Sequence, residues 1–207
     1  DTAMGLLLMT VRELGKAERY LRAGSWLEKP YPLTPASLTN RSMGIFGLGR
    51  VGKAIAKRAE AFGMPISYCG RTCQNVPWRH YADLAEMARD VDVLMAAAPG
   101  GAETRHAVNA DVLAALGADG ILVNVGRGSL VDTDALIEAL ASRTILAAGL
   151  DVYEDEPRVP ARLVALDNAV LLPHVGSASI PTREAMARLT RDNLLSWFRE
   201  GRALTAV

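Results

Sequence analysis

Little in this sequence suits it to holding a metal or crossing a membrane. Two cysteines, Cys69 and Cys73, and three scattered histidines occur in 207 residues, too few and too dispersed for a zinc-type ligand set. Without a disulfide framework the thiols read as reduced, which points to a cytoplasmic compartment. Net charge is missing as well. Lysines plus arginines number 23 and aspartates plus glutamates 23, so no overall field draws the chain to nucleic acid or to anionic lipid. The apolar burst Leu6-Leu7-Leu8-Met9 soon meets Arg12 and Glu13 and falls far short of a membrane span. There is no internal repeat and no low-complexity stretch. What remains is a neutral chain, 50% hydrophobic, long enough to bury one full core.

Its most informative segment is Met43-Gly-Ile-Phe-Gly47-Leu48-Gly49-Arg50-Val51-Gly52, a G-x-G-x-x-G loop between a short apolar strand and an alanine-rich helix. Gly47 allows the tight turn out of the strand, Gly49 lets backbone approach a pyrophosphate, and Gly52 lets helix pack on strand. The helix N-terminus then offers unpaired N–H groups and the positive end of its dipole to phosphate. Dinucleotide binding is the function this context predicts.

A second absence sharpens that reading. An NAD site places an acid about 20 residues past the glycine loop, on the ribose 2′-hydroxyl. Here no Asp or Glu occurs from Ala61 to Ala82, and the strand Pro65–Cys69 ends in Gly70-Arg71-Thr72. A guanidinium and a hydroxyl suit a 2′-phosphate, which a carboxylate would repel. NADP(H) is therefore the expected cofactor, with NAD(H) as the alternative.

Beyond this point strands and helices alternate, the pattern of an α/β, Rossmann-type doubly wound parallel sheet. A helix over Val51–Phe62 leads to strand Pro65–Cys69, and a short helix around Asp83–Arg89 to strand Val91–Ala97. Asn109 or Asp111 caps a helix to Leu116, before strand Ile121–Val125. Asp132 caps a helix over Ala135–Ser142, before strand Thr144–Leu150. Ala169–Leu172 is the last strand, and the spacing of Met186, Leu189, Leu194 and Trp197 predicts a closing helix from Thr182 to Glu200. Residues 1–207 thus read as one dinucleotide-binding domain. Within it, residues 1–24 form a hinge or dimerisation helix marked by Met4, Leu7, Leu8, Val11, Leu14 and Leu21. The chain opens inside this helix, without an initiator methionine, as if cut from a longer protein.

Ligands of open α/β sheets lie beyond the carboxyl ends of the strands, and three chemically capable residues stand there. Arg127 follows the strand that ends at Val125, Glu156 lies in the loop after Asp151, and His174 follows Pro173. Together they would supply a fork for a carboxylate, an acid/base and a carboxylate to orient it. His80, in a loop beside Trp78, and His106, near a helix start, read as structural.

These pieces resemble the coenzyme-binding domain of the D-isomer-specific 2-hydroxyacid dehydrogenases over nearly the whole chain. The matching runs are Gly47–Gly52, Asn124-Val-Gly-Arg-Gly-Ser-Leu-Val-Asp132, Ala148-Gly-Leu-Asp-Val-Tyr153 with Glu156-Pro157, and Pro173-His-Val-Gly-Ser-Ala178. Within the family the chain is most similar to NADPH-dependent hydroxypyruvate, glyoxylate and hydroxyphenylpyruvate reductases. The resemblance implies Arg127 on substrate carboxylate and carbonyl, His174 as proton donor and Glu156 as its partner, preferred over the neighbouring Glu154 because it precedes Pro157. It implies cofactor contacts from Gly47, Leu48, Gly49, Arg50, Val51, Gly52, Arg71, Thr72, Ala98, Pro99, Thr104, Val125, Gly126, Asp151 and Gly176, and no metal. Ala97-Ala-Pro-Gly-Gly101 departs from the family's usual Pro-Leu-Thr run, and Ser179 stands where threonine is common.

The implied reaction transfers hydride between NADP(H) and a small 2-keto or 2-hydroxy acid, hydroxypyruvate or glyoxylate being favoured. Family members carry a second, N-terminal substrate domain that this sequence lacks. The chain alone is therefore expected to bind cofactor without turnover, and to pair as a homodimer through an exposed first helix. Two rival readings share the glycine loop. A dinucleotide-sensing corepressor would need no reductive cofactor site such as Arg71, and a methyltransferase would leave Arg127, Glu156 and His174 without a task.

Overall fold

A computed structural model describes residues 1–206. Contacts divide the chain into two units, one over Asp1–Pro173 and one beginning at His174.

The first unit is built on a seven-stranded, all-parallel sheet. In chain order the elements are α1 (Thr2–Val11), α2 (Leu14–Arg22), β1 (Met43–Phe46), α3 (Arg50–Ala61), β2 (Ile66–Cys69), β3 (Arg79–Tyr81), α4 (Leu84–Arg89) and β4 (Val93–Ala96). There follow α5 (Ala110–Leu116), β5 (Ile121–Asn124), α6 (Thr133–Ala141), β6 (Ala147–Leu150), α7 (Ala161–Val164) and β7 (Ala169–Leu171). The strand order is β3-β2-β1-β4-β5-β6-β7. It reverses between β1 and β4, and at such a switch point a doubly wound sheet opens a crevice for ligand.

Alternate residues of each strand feed two cores, because successive side chains point to opposite faces. Met43 and Ile45 of β1, Val93 and Met95 of β4, and Ile121 and Val123 of β5 pack with α1 and α3. Phe46, Leu94, Ala96, Leu122 and Ala148 pack on the other face with α4, α5 and α6. Val93 to Ala96 and Ile121 to Val123 are wholly buried, which explains why these strands read as continuous apolar runs.

Three features differ from the sequence expectation. The helix placed over residues 1–24 is two helices, broken at Arg12-Glu13, where Glu13 adopts φ 49°. Its first part is core rather than exposed: Leu6 and Leu7 are 0% accessible and Val11 1%. Gly149 of β6 permits this approach, since a Cβ there would lie 2.5 Å from Thr10 Oγ1. The exposed apolar residues lie further on, at Leu14, Leu21, Trp26, Leu27 and Leu33. The second difference is the edge strand β3, which places His80 in the sheet and not in a loop. It is three residues long with one buried side chain, Tyr81, so it carries no apolar period to detect. Thirdly, strands predicted from Val91 and Thr144 begin later, at Val93 and Ala147. At the first of these Asp92 turns to side-chain bonding, its Oδ2 accepting the Ser42 N–H at 2.7 Å.

The second unit is dominated by α8 (Ile180–Glu200). It starts two residues before the predicted Thr182 because Ser179 caps it and a proline occupies its first turn. Met186, Leu189, Leu194 and Trp197, whose spacing marks the helix, are between 48% and 57% accessible. No helix among the described residues is long and apolar enough to cross a membrane.

Candidate dinucleotide and oxyacid site

The glycine loop leaves β1 at the switch point. Gly47 has φ +96°, and a Cβ on it would sit 2.4 Å from the Cα of Ala98, just beyond the end of β4. A Cβ on Gly52 would lie 2.3 Å from the Gly47 oxygen. These two glycines are there for close packing. Gly49 differs, because a Cβ there would meet nothing within 4 Å. It is also the N-cap of α3 and provides no side-chain cap, whereas Asp83, Asn109, Asp132 and Ser179 cap α4, α5, α6 and α8 with their own oxygens. The first N–H groups of α3 therefore face an open space, with the helix dipole behind them. A pyrophosphate fits that space and that charge.

Beside it, β2 is followed by Gly70, and Arg71 and Thr72 are exposed. The loop that carries them is fastened by residues the sequence reading passed over. Tyr68, buried on β2, accepts the Gln74 N–H at 2.7 Å, and Gln74 Nε2 donates to the Leu48 carbonyl oxygen at 3.0 Å. His80 Nε2 contacts the Gly70 oxygen at 3.0 Å, which gives this histidine the structural role expected of it. Burial, aided by the charge of Asp83, pushes the Cys69 thiol up to about 11, while Cys73 is exposed. Both thiols are free.

Arg127 stands on a turn that Asn124 shapes. Asn124, 1% accessible, donates through Nδ2 to the Arg127 oxygen at 2.9 Å and accepts the Gly126 N–H at 3.1 Å. Arg127 Nη1 in turn donates to the Gly126 oxygen at 2.7 Å. Gly128 brings this turn against the loop of Glu156, since a Cβ on it would fall 1.9 Å from the Tyr153 carbonyl carbon. In that second loop the Tyr153 N–H donates to Glu156 Oε1 at 3.0 Å, and the Glu156–Pro157 bond is cis. The Tyr153 hydroxyl reaches back to the Leu172 oxygen at 2.9 Å. Burial and the nearby Asp151 charge push that phenol up to about 12. Asp151 itself is 2% accessible, directly after β6. Thr104 donates its hydroxyl to the Pro99 oxygen at 2.8 Å and so shapes the loop after β4.

Glu154, the rival of Glu156 for the acidic role, is already engaged. It meets His106 Nε2 at 2.6 Å and accepts the Thr133 hydroxyl at 2.8 Å. Burial alone would raise its carboxyl, but the bonds from His106 and Thr133 outweigh burial and hold it below the usual range. His106 is thus a loop tie, in line with its structural reading.

The structure therefore brings the Arg127 and Glu156 loops together in the first unit. His174 opens the second unit, with φ 54°, and Gly176 follows it there. A cavity of about 350 Å³ is lined by Asn124, Gly128, Thr133, Tyr153, Glu154 and Arg158 among others. Neither the glycine loop nor Arg127 lines it, so it is a different place from the predicted site. Among the described residues no group of three or more His, Cys, Asp or Glu side chains is arranged to hold a metal ion.

Comparison with known proteins adds a family. The model of the D-isomer specific 2-hydroxyacid dehydrogenase, NAD binding domain, matches residues 4–176. The glyoxylate/hydroxypyruvate reductase A of Arabidopsis thaliana is 46% identical, covering 100% of this chain and 66% of the relative. The hydroxyphenylpyruvate reductase of Plectranthus scutellarioides is 43% identical with the same coverage. Among solved structures, the NADPH-dependent glyoxylate/hydroxypyruvate reductase from Sinorhizobium meliloti, in complex with NADP and malonate, has a TM-score of 0.97 and 54% identity. That match covers 100% of this chain and 66% of the other. The chain thus spans 66% of the length of these relatives. Nothing among them supports a corepressor or a methyltransferase.

Proposed function

This chain belongs to the D-isomer-specific 2-hydroxyacid dehydrogenases, and on that premise we propose that it is the coenzyme-binding part of an NADP(H)-dependent 2-keto acid reductase. Hydroxypyruvate and glyoxylate are the favoured substrates. The observation that carries the reading is the uncapped N-terminus of α3 opening at the switch point, next to a β2 end that offers Arg71 and Thr72 and no acid. The reductases of Arabidopsis and Sinorhizobium support the choice of substrate and cofactor.

When bound, the reduced dinucleotide would supply the hydride. The chain's own residues would do the rest. Arg127 would bind the substrate carboxylate and place fixed positive charge where the carbonyl oxygen turns negative. His174 would hold the proton for that oxygen, and Glu156, anchored by the Tyr153 N–H, would serve as its acidic partner. Asp151 would face the nicotinamide carboxamide. A protein of the relatives' full length would be needed for turnover, since the keto acid must be enclosed at near-attack distance and away from water. We also place the protein in the cytoplasm, as a homodimer, with no nucleic-acid or membrane partner and no metal.

Calorimetric titration of this chain tests the reading. NADPH should bind more tightly than NADH, and Arg71→Ala should weaken NADPH by roughly 1.5–3 kcal/mol, the worth of a charge-assisted bond, while sparing NADH. Equal weakening of both would overturn the 2′-phosphate assignment. In a full-length protein, His174→Ala should depress kcat for hydroxypyruvate, and Arg127→Ala should impair kcat and KM together.

A further inference from the structure

We propose that Gln74 is a positioning residue for cofactor selectivity, bridging the loop that receives the pyrophosphate and the loop that receives the 2′-phosphate. The inference rests on the NADP(H) reading above and adds to it a residue that need not touch the cofactor.

The two loops leave neighbouring strands, β1 and β2; the Gly47 N–H donates to the Cys69 oxygen at 2.9 Å and so joins their bases, and the tips lie beyond that bond. Those tips must nonetheless stand at one separation, because the pyrophosphate and the 2′-phosphate of a single nucleotide are joined by a short covalent frame. Arg71 is exposed on a nine-residue connection between β2 and β3, residues 70–78. Left alone, such a connection would sample many positions, and ordering it would cost binding energy.

It is held on either side of Arg71, and at its far end Trp78 Nε1 donates to Glu60 Oε1 on α3 at 2.8 Å. At its start His80, on β3, contacts the Gly70 oxygen at 3.0 Å. Beyond Arg71 the Tyr68 hydroxyl accepts the Gln74 N–H at 2.7 Å and points its own proton at Cys73 Sγ, 3.8 Å away. Tyr68 is 0% accessible, and its ring lies 5.0 Å from that of His80, so the anchor is part of the core. The Gln74 side chain leaves this cluster. Its Nε2 donates to the carbonyl of Leu48, between Gly47 and Gly49, at 3.0 Å. This bond crosses directly from one phosphate loop to the other.

A glutamine suits the task because it supplies a neutral donor. A carboxylate of equal length would repel both the Leu48 oxygen and an incoming phosphate, and a methionine would fill the space without bonding. Removing the donor should leave the glycine loop able to bind a pyrophosphate. The Arg71 loop, however, would have to be ordered by the nucleotide itself, so the loss should fall on ligands that carry a 2′-phosphate.

The test is calorimetric binding of NADP⁺ and NAD⁺ to the chain and to its Gln74→Met and Tyr68→Phe variants, with thermal unfolding of each. The native chain should prefer NADP⁺. Gln74→Met should lower that preference about two- to tenfold, the range of one neutral hydrogen bond, with NAD⁺ affinity changed less than about twofold. Tyr68→Phe, which frees the Gln74 backbone, should lower the preference in the same direction. Should it fail to fold, Gln74→Met, on a half-buried residue, decides alone. A native chain that prefers NADP⁺ and a Gln74→Met variant that keeps the full preference would overturn the bridge and leave the cofactor reading standing. Equal loss of both nucleotides would also overturn it, since that is what general loosening produces. No preference in the native chain would defeat the cofactor reading, and the bridge with it.

Discussion

The loop after β1 and the loops after β5 and β6 reach the same end of the sheet by opposite means. Gly47, Gly49 and Gly52 shape the first by lacking side chains: two let backbone close on backbone, and the third leaves room for a ligand. In the other loops Gly128 also lets backbone close on backbone, but the shape is held by side-chain bonds: Asn124 to Arg127, Tyr153 to Leu172, Glu154 to His106 and Thr133. Where omission lets backbone meet backbone no addition is tolerated, whereas a loop made by bonds fails by subtraction and can titrate.

The largest effect should come from adding a side chain where the first loop has none. Gly47→Val places a branched Cβ at φ +96°, 2.4 Å from the Cα of Ala98, and should cost roughly 2–5 kcal/mol of stability through backbone strain and overpacking. Gly49→Ala, two residues on, meets open space at φ −81°. It should leave stability within about 0.5 kcal/mol of the parent, as most unstrained surface changes do, yet weaken NADP⁺ binding. Urea midpoints and nucleotide titrations measure both quantities. A Gly49→Ala chain that binds normally would mean that the space before α3 is not the phosphate site.

This asymmetry explains what could be read in advance. The glycine loop, the alternation of strands and helices and the missing acid after β2 are local patterns, and a short window of sequence contains each of them. Several of the side-chain ties are not local. Glu154 and His106 are 48 residues apart, and Asn168 reaches back 28 residues to the Leu140 oxygen. Nothing in the run Glu154-Asp-Glu156 says which carboxylate will be occupied. Only the fold shows that Glu154 is taken by His106 and that Glu156 is held by the Tyr153 N–H. The burial of the first helix is hidden from the sequence for a related reason. Its apolar spacing was visible, but its seat on β6 depends on Gly149, distant in sequence. Asn124 does carry a local signal: a polar residue ending an apolar strand just before a glycine turn is placed to bond that turn.

Taking away one tie from the second region should have an intermediate effect. Asn124→Ala strands the Gly126 N–H inside the protein and leaves the Arg127 carbonyl with the Leu130 N–H alone, at a cost of roughly 1–3 kcal/mol. Adenosine 2′,5′-bisphosphate, which needs only the loops after β1 and β2, should bind within about twofold of normal, because an effect below 0.5 kcal/mol is expected for sites without shared partners. Loss of that binding would show that the two regions are not independent.

The smallest effect, and the one that separates the regions by chemistry, is in acid. Glu154 has a carboxyl held below the ordinary range in the folded chain, and in the unfolded chain it returns to about 4.3. A lowered folded value means that the charged form is the one the fold prefers. Its contribution is therefore complete above the unfolded value and disappears as pH falls through the folded one. Glu154→Gln keeps the shape and one acceptor oxygen but cannot carry the charge. At neutral pH the variant should unfold at a lower temperature than the parent. As pH is lowered from about 5 toward 3, the gap should close, because the parent loses what the variant never had. The Gly49→Ala chain should show no such convergence, since nothing in the glycine loop titrates there. Melting curves of the three chains across that range are the measurement. A gap that stays constant with pH would mean that Glu154 ties its loop by shape alone, and that the second region is held no differently from the first.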